Sequence, residues 1–359
     1  MHMTHGSTHG NSQGPRSVGG DDAGRGSADR IVDVMAVPPS PVEPTESPVE
    51  SAPRATDEPQ PATPPPSASD RIVASWTAIL DRARDAAARH AAANAEDRPG
   101  LVKIVRKATK TGRALLRLLG HGSDLIAGET RDGIERMLSD AAAMLAPIRD
   151  RDAMIETVER LLAGKSGERA EQARELLVGV VVPPPVGDDQ IAFENALVRR
   201  AMLLIESSDR ALRSAGLASI DADAIADGLA RIWRRARRRA NRSWQGEGEN
   251  AHDVRKACSR LVHQLTLIEP DLPKRVRRFR RKLREATAAL GEEHDLAILS
   301  QSIGLQEERL GSTFSDAVLI VCRRGRERLL EEAGIALAEA MTLKPRGLAR
   351  AVAKRYARR

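Results

Sequence analysis

The chain has 359 residues, with 57 Lys and Arg against 50 Asp and Glu, two cysteines and seven aromatics. Two cysteines, Cys258 and Cys322, exclude a disulfide scaffold and a four-cysteine zinc site. No run of about 18 apolar residues is present to span a membrane, and the start lacks the basic-then-apolar pattern of a secretion signal, so a cytoplasmic protein is expected.

Residues 1–70 hold 12 of the 20 prolines, with 4 basic and 10 acidic residues. Such a stretch buries too little apolar surface to offset chain entropy, and it reads as a disordered acidic tail. Residues 71–359 then carry 53 basic and 40 acidic residues, a net of +13, which points to a polyanionic partner.

After residue 70 the apolar positions recur at helical rather than alternating spacing. The pattern predicts helices over 70–96, 101–119, 124–146, 149–164, 167–178, 189–214, 222–244, 250–268, 273–290, 294–303, 313–341 and 346–358. Pro99-Gly100, Pro183 to Pro185 and Pro270 mark breaks. Asp221 and Asp271 stand where N-caps belong, and Pro273 suits a first turn. The fold class is all-α, an antiparallel helical bundle.

On a wheel of 101–119, Leu101, Ile104, Val105, Ala108, Gly112, Leu115, Leu116 and Leu119 share one arc of about 120°. Lys103, Arg106, Lys107, Lys110, Arg113 and Arg117 share the opposite arc, and no acid interrupts 101–119. Like charges at i,i+4 repel, so such a ridge gives up helix stability that a bound anion would restore. The pattern recurs in 252–265, where His252, Arg255, Lys256, Ser259 and His263 oppose Val254, Ala257, Cys258, Leu261 and Leu265. In 231–242 seven of twelve residues are Arg, around a stripe of Ile232, Trp233, Ala236 and Ala240. In 274–284 eight of eleven are Lys or Arg, with Val276, Phe279 and Leu283 at core spacing. Arg-rich runs without interspersed acids suit bidentate phosphate recognition. Cys258 falls on an apolar face and reads as a core residue rather than a nucleophile.

Two stretches repeat. VRKATKTGRALLRLL (105–119) matches VRKACSRLVHQLTLI (254–268) at an offset of 149. LAPIRDRDAMI (145–155) matches LGEEHDLAIL (290–299) at an offset of 145, pairing Arg149 with His294 and Asp150 with Asp295. Two copies of one helical unit are implied, over approximately 71–186 and 187–359.

No helix is singled out for reading base edges in duplex DNA. The periodic aromatics fall on core faces, where they cannot stack on bases. Phosphate-loop and dinucleotide glycine motifs are absent. A ligand with phosphates and no bases fits best.

These blocks, with HxxRK at 252–256 followed by LGxxHDLxxL at 290–299, resemble the conserved-histidine α-helical domain family, CHAD. The resemblance implies a pseudo-twofold pair of helical halves, with basic helices lining a positive surface that binds inorganic polyphosphate, and association with polyphosphate granules. Carried over by position, the contacts are Lys103, Arg106, Lys107, Lys110, Arg113 and Arg117, then His252, Arg255, Lys256 and Arg260, with Arg234, Arg235 and Arg238 from the preceding helix and His294. Lys103 stands at the first-half histidine position, and no strand-rich triphosphate-tunnel partner is recognisable.

Metal and enzyme readings weigh less. HExxH is absent, and His252 and His263 lie eleven residues apart, about 16 Å along a helix, too far to share one ion. Glu292, His294 and Asp295 form a short cluster without a partner motif, and Asp295 reads as a structural acid near a helix N-terminus. No catalytic residue, metal site or cofactor is therefore expected. The readings rank as a non-catalytic polyphosphate-binding protein, then a nucleic-acid-binding basic helical protein, then a polyphosphate-processing phosphohydrolase.

Overall fold

The computed structural model describes residues 67–119, 126–182, 189–217, 221–244, 251–269 and 272–357. Its helices are α1 (Ala68–His90), α2 (Arg98–Leu119), α3 (Gly128–Met144), α4 (Ala146–Leu162), α5 (Glu168–Val181) and α6 (Gln190–Ser214). They continue as α7 (Ala222–Trp244), α8 (Ala251–Leu267), α9 (Lys274–Leu305), α10 (Glu307–Leu310), α11 (Ser312–Met341) and α12 (Pro345–Ala357). Among the described residues there is no strand, and no helix is long and apolar enough to cross a membrane. The expected tail up to residue 66 and the expected cap Asp271 lie outside the described residues.

Local chemistry sets the helix ends. Ser67 and Asp70 form a capping box that starts α1: the Ser67 hydroxyl accepts from the Asp70 amide at 3.1 Å, and Asp70 accepts from the Ser67 amide at 2.9 Å. Helix α1 stops at His90 rather than 96. Asn94 Oδ1 accepts from the Asp97 amide at 2.8 Å and begins a new helix, with Pro99 in its first turn. Asp221 caps α7 as expected, accepting from the Ala224 amide at 2.6 Å.

The largest departure is α9. Breaks were expected around Gly291, yet the helix runs unbroken for 32 residues. Glycine inside a helix costs about 1 kcal/mol, which packing along the whole of α11 offsets. The two run antiparallel, tied by Lys282 to Glu339 (3.0 Å) at one end and Glu293 to Arg326 (2.8 Å) further along. Glu292 to Asp295 therefore lie mid-helix, and Asp295 has no helix N-terminus to complement. In the first copy the corresponding chain does break, between α3 and α4. Pro147 sits in the first turn of α4, where the second copy has Glu292. Proline lacks the N–H that a continuous helix needs.

One core runs through α1–α3, α6–α9, α11 and α12, and a smaller one joins α4 and α5 to the far end of α9. Trp76 and Trp233 are fully buried anchors. Trp76 donates to Asp209 on α6 at 2.9 Å, and Trp233 donates to the Leu343 carbonyl at 2.6 Å and meets Phe279 edge-on at 4.9 Å. Helix α6, beyond the expected boundary at 187, packs against α3, α2 and α1. The wheel of α2 holds except at Ile104, which is 40% exposed. Trp233, Ala236, Val276, Phe279 and Leu283 are buried as expected, but Arg280 in the basic run is also buried and pairs with Glu269.

Gly112 lets α1 and α2 approach. A Cβ there would stand 3.0 Å from the Trp76 ring and 3.2 Å from Leu138, whereas one at Gly100 meets nothing within 4 Å. Gly112→Val is expected to lower stability by about 1–3 kcal/mol through overpacking, and Gly100→Ala to be neutral or stabilising by up to about 1 kcal/mol. Denaturant melts of both variants test this. Equal stability of the two would contradict the close packing.

Candidate anion-binding cleft

Helices α2 and α8 cross with their basic edges facing one cleft of about 1160 Å³. Uncharged side chains hold the crossing. The Thr111 hydroxyl donates to the Lys107 carbonyl at 2.9 Å, and its oxygen then accepts from His263 Nδ1 at 3.0 Å. Gln264 donates to the Ala114 carbonyl at 3.0 Å. Burial, ahead of the nearby Lys110, pushes the His263 imidazole down to about 3, so it braces the crossing as a neutral ring.

From α2 the cleft receives Arg106, Lys107, Lys110, Arg113 and Arg117. From α8 it receives His252, Arg255, Lys256 and Arg260. Helix α9 adds His294, together with Arg280 and Arg284, and the first turns of α4 add Arg149 and Arg151. Gly291 lines the wall beside Arg255, whose Nη1 would lie 3.9 Å from a Cβ there. A smaller cleft of about 360 Å³ is lined by Arg235, Arg238, Arg239 and Arg242 of α7 and shares Arg117 and Arg260 with the first.

Two sequence-predicted contacts stand elsewhere. Lys103 is drawn to Glu156 on α4, so its charge is spent on an ion pair between helices. Arg234 is exposed on α7 and lines neither cleft. Sequence reasoning missed Arg149, Arg151, Arg280 and Arg284 as cleft residues. The repeat paired Arg149 with His294, a usable signal. On α9, Arg280, Arg284, Thr287, Gly291, His294, Ile298 and Ser302 recur at three- and four-residue spacing. That stripe is visible only when the helix is read as continuous.

Most acids near the cleft fix arginines, while Asp150 lines it without an ion pair among the described residues. Glu135 on α3 accepts from Arg113 at 2.7 Å and Arg117 at 3.0 Å. Asp295 lies 3.8 Å from Arg149 and 3.6 Å from Arg160, and Glu292 lies 3.6 Å from Arg160. Glu194 holds Arg151 at 2.8 Å. By contrast Arg106, Lys107, Lys110, Lys256, Arg260 and Arg284 make no ion pair among the described residues.

The unpaired cations strain against one another. Burial and then Arg149 push the Arg106 guanidinium down from its ordinary value, and burial alone among the lowering causes precedes Arg149 for Arg255. Burial between the cleft walls, then Arg106, Arg149 and Arg255, bring the Lys110 ammonium down to about 8. Arg260 falls to about 10 through burial and then Arg117, Arg239 and Arg113. His252 and His294 stack with centroids 4.7 Å apart, and Arg255 donates to His252 Nδ1 at 3.2 Å. Burial, then Lys256 and Arg255, lowers His252, and burial, then Arg255, lowers His294. Both rings therefore favour the neutral form, as potential acceptors of a proton when negative charge arrives. Cys258 is fully buried with its thiol pushed up to about 12, consistent with a core residue. Among the described residues no three His, Cys, Asp or Glu side chains are grouped to hold a metal ion.

Lys110 gives a direct test. Its folded value lies below the ordinary 10.5, so the charged amine costs stability below pH 8, and this cost fades as pH rises from 8 to 10.5. Trinitrobenzenesulfonate labelling followed peptide by peptide should show Lys110 reacting with a midpoint near pH 8. Arg106→Gln should raise that midpoint. A midpoint at the ordinary lysine value would contradict the crowding of cations.

The CHAD domain family model matches residues 78–303, while no curated protein and no solved structure matches the chain. The matched span begins inside α1 and ends at the last buried turn of α9, so it contains both α2 and α8 and the cleft between them. With more than half its length matched, and both crossed basic helices inside the match, the chain belongs to the CHAD domain family.

Proposed function

We propose that the cleft binds inorganic polyphosphate without catalysis, and that this binding can bring the chain to polyphosphate granules. The observation that carries the reading is the group Arg106, Lys110, Arg149 and Arg255. They come from three helices onto one cleft, burial and then like charge lower the protonation of Arg106, Lys110 and Arg255, and a multiply charged anion would relieve them. Membership in a polyphosphate-binding family supports it. So does the chemistry of the walls, which supply guanidinium and ammonium donors in a row along two crossed helices rather than at one point. The smaller cleft beyond Arg117 and Arg260 would extend the track for long chains.

Catalysis of phosphoryl transfer would add a metal or a positioned nucleophile to the cations. Of the acids at hand, Glu292, Asp295 and Glu194 are engaged with arginines, Asp150 stands without grouped acids to hold a metal among the described residues, and the buried thiols stay protonated. The chain is therefore expected to release no orthophosphate from polyphosphate and Mg²⁺. Sustained release by pure protein would replace binding with hydrolysis.

Binding should depend steeply on salt, since each neutralised phosphate frees counterion. The variant with Arg106, Lys107, Lys110 and Arg113 changed to Ala should bind long-chain polyphosphate at least about tenfold more weakly. Its slope of log K against log salt should flatten by roughly 0.7 for each contact removed. Helix content should stay intact, although Arg113 gives up its pair with Glu135. Filter binding with duplex DNA as competitor at matched charge separates the partners. Equal competition by DNA would shift the assignment to nucleic acid, and unchanged affinity in the variant would remove the cleft from it.

A further inference from the structure

The cleft is not uniformly cationic. From α4, the end of α5 and the first turn of α6 its lining also receives the apolar Ile148, Met154, Val181 and Phe193. Phe193 is 47% exposed, while Trp76, Trp233 and Phe279 are buried and Phe314 and Tyr356 partly so. Among the described side chains it is the one exposed aromatic. Inorganic polyphosphate has no apolar group to lay on this ring, whereas a flat organic group does.

Its position is fixed from within. The neighbouring Glu194 is buried and holds Arg151 at 2.8 Å. Arg151 stands two residues from Arg149, which borders the crowded group of Arg106, Lys110 and Arg255. Phe193, Arg149 and Arg151 thus line the same cleft, together with the acids Asp150 and Glu194. An aromatic platform continuous with a row of cations suits a flat heterocycle joined to a phosphate chain, because every base offers a π face for stacking.

We propose that this end of the cleft takes a nucleobase, so that the cleft also holds a nucleoside polyphosphate, with its base on Phe193 and its phosphates running toward Arg149. This rests on the reading of the cleft as a phosphate site. It adds a second ligand class, distinguished by its organic group.

The test compares ATP with inorganic tripolyphosphate, without divalent metal and at constant ionic strength, by isothermal titration on the full chain. Phe193→Ala should weaken ATP about tenfold, the order expected of one base stack, and leave tripolyphosphate unchanged. Phe193→Trp should restore or strengthen ATP binding, and saturation transfer from aromatic protein protons should reach the adenine protons in the wild type. An unchanged ratio of ATP to tripolyphosphate affinity in Phe193→Ala, with both still bound, would overturn the base subsite and leave the phosphate cleft standing. Loss of affinity only for a single-stranded oligonucleotide would overturn it in favour of a nucleic-acid contact. Failure of the wild type to bind either compound would bring down the phosphate reading and this inference together.

Discussion

Repulsion among cations confined to one cleft is the constraint on which the rest of the site depends. Arg106, Lys110, Arg149 and Arg255 come from three different helices, and the charge of Arg149 adds to burial in lowering the protonation of the other three. Left to themselves, these helices would move apart. They are held by apolar packing on their other faces and by the neutral brace of Thr111 with His263 and Gln264 with the Ala114 carbonyl. The brace works because His263 stays uncharged; a cation at that point would add to the repulsion it resists.

The acids show the same economy. Glu135, Asp295 and Glu194 each lie at the edge of the cleft and each orient an arginine. They fix guanidinium planes without cancelling the inner group. Asp295 is the clearest case, since it joins α9 to Arg149 of α4. The stretch GEEHD is thus no helix start. It is the middle of a long helix, where Glu292 and Asp295 pair with arginines at the cleft, Glu293 is buried against Arg326 of α11, and His294 lines the cleft.

Much of this was legible in the sequence, and the failures have causes. Apolar periodicity placed the helices to within a few residues, because Leu, Ala and Arg favour helix and Pro or Gly marks most ends. The ridge on α2 was readable from spacing alone. Gly291 misled because its cost is local, whereas the packing of α9 on α11 that overrides it is tertiary. That false break hid Arg280 and Arg284 as cleft residues. Lys103 shares the arc of its neighbours, and only the approach of Glu156 on another helix takes it away. Phe193 and Ile104 are exposed although their types favour burial, a fact that depends on which neighbours arrive rather than on spacing.

The most direct measurement of the central claim is the proton balance of binding. Titration of long-chain polyphosphate into the full chain at pH 8.5, in buffers of different ionisation heat, counts the protons exchanged. Lys110, with its value near 8, is largely deprotonated there before the anion arrives and should be recharged by it. The account predicts net proton uptake that disappears in Lys110→Met. Binding of equal strength with no proton uptake would contradict it.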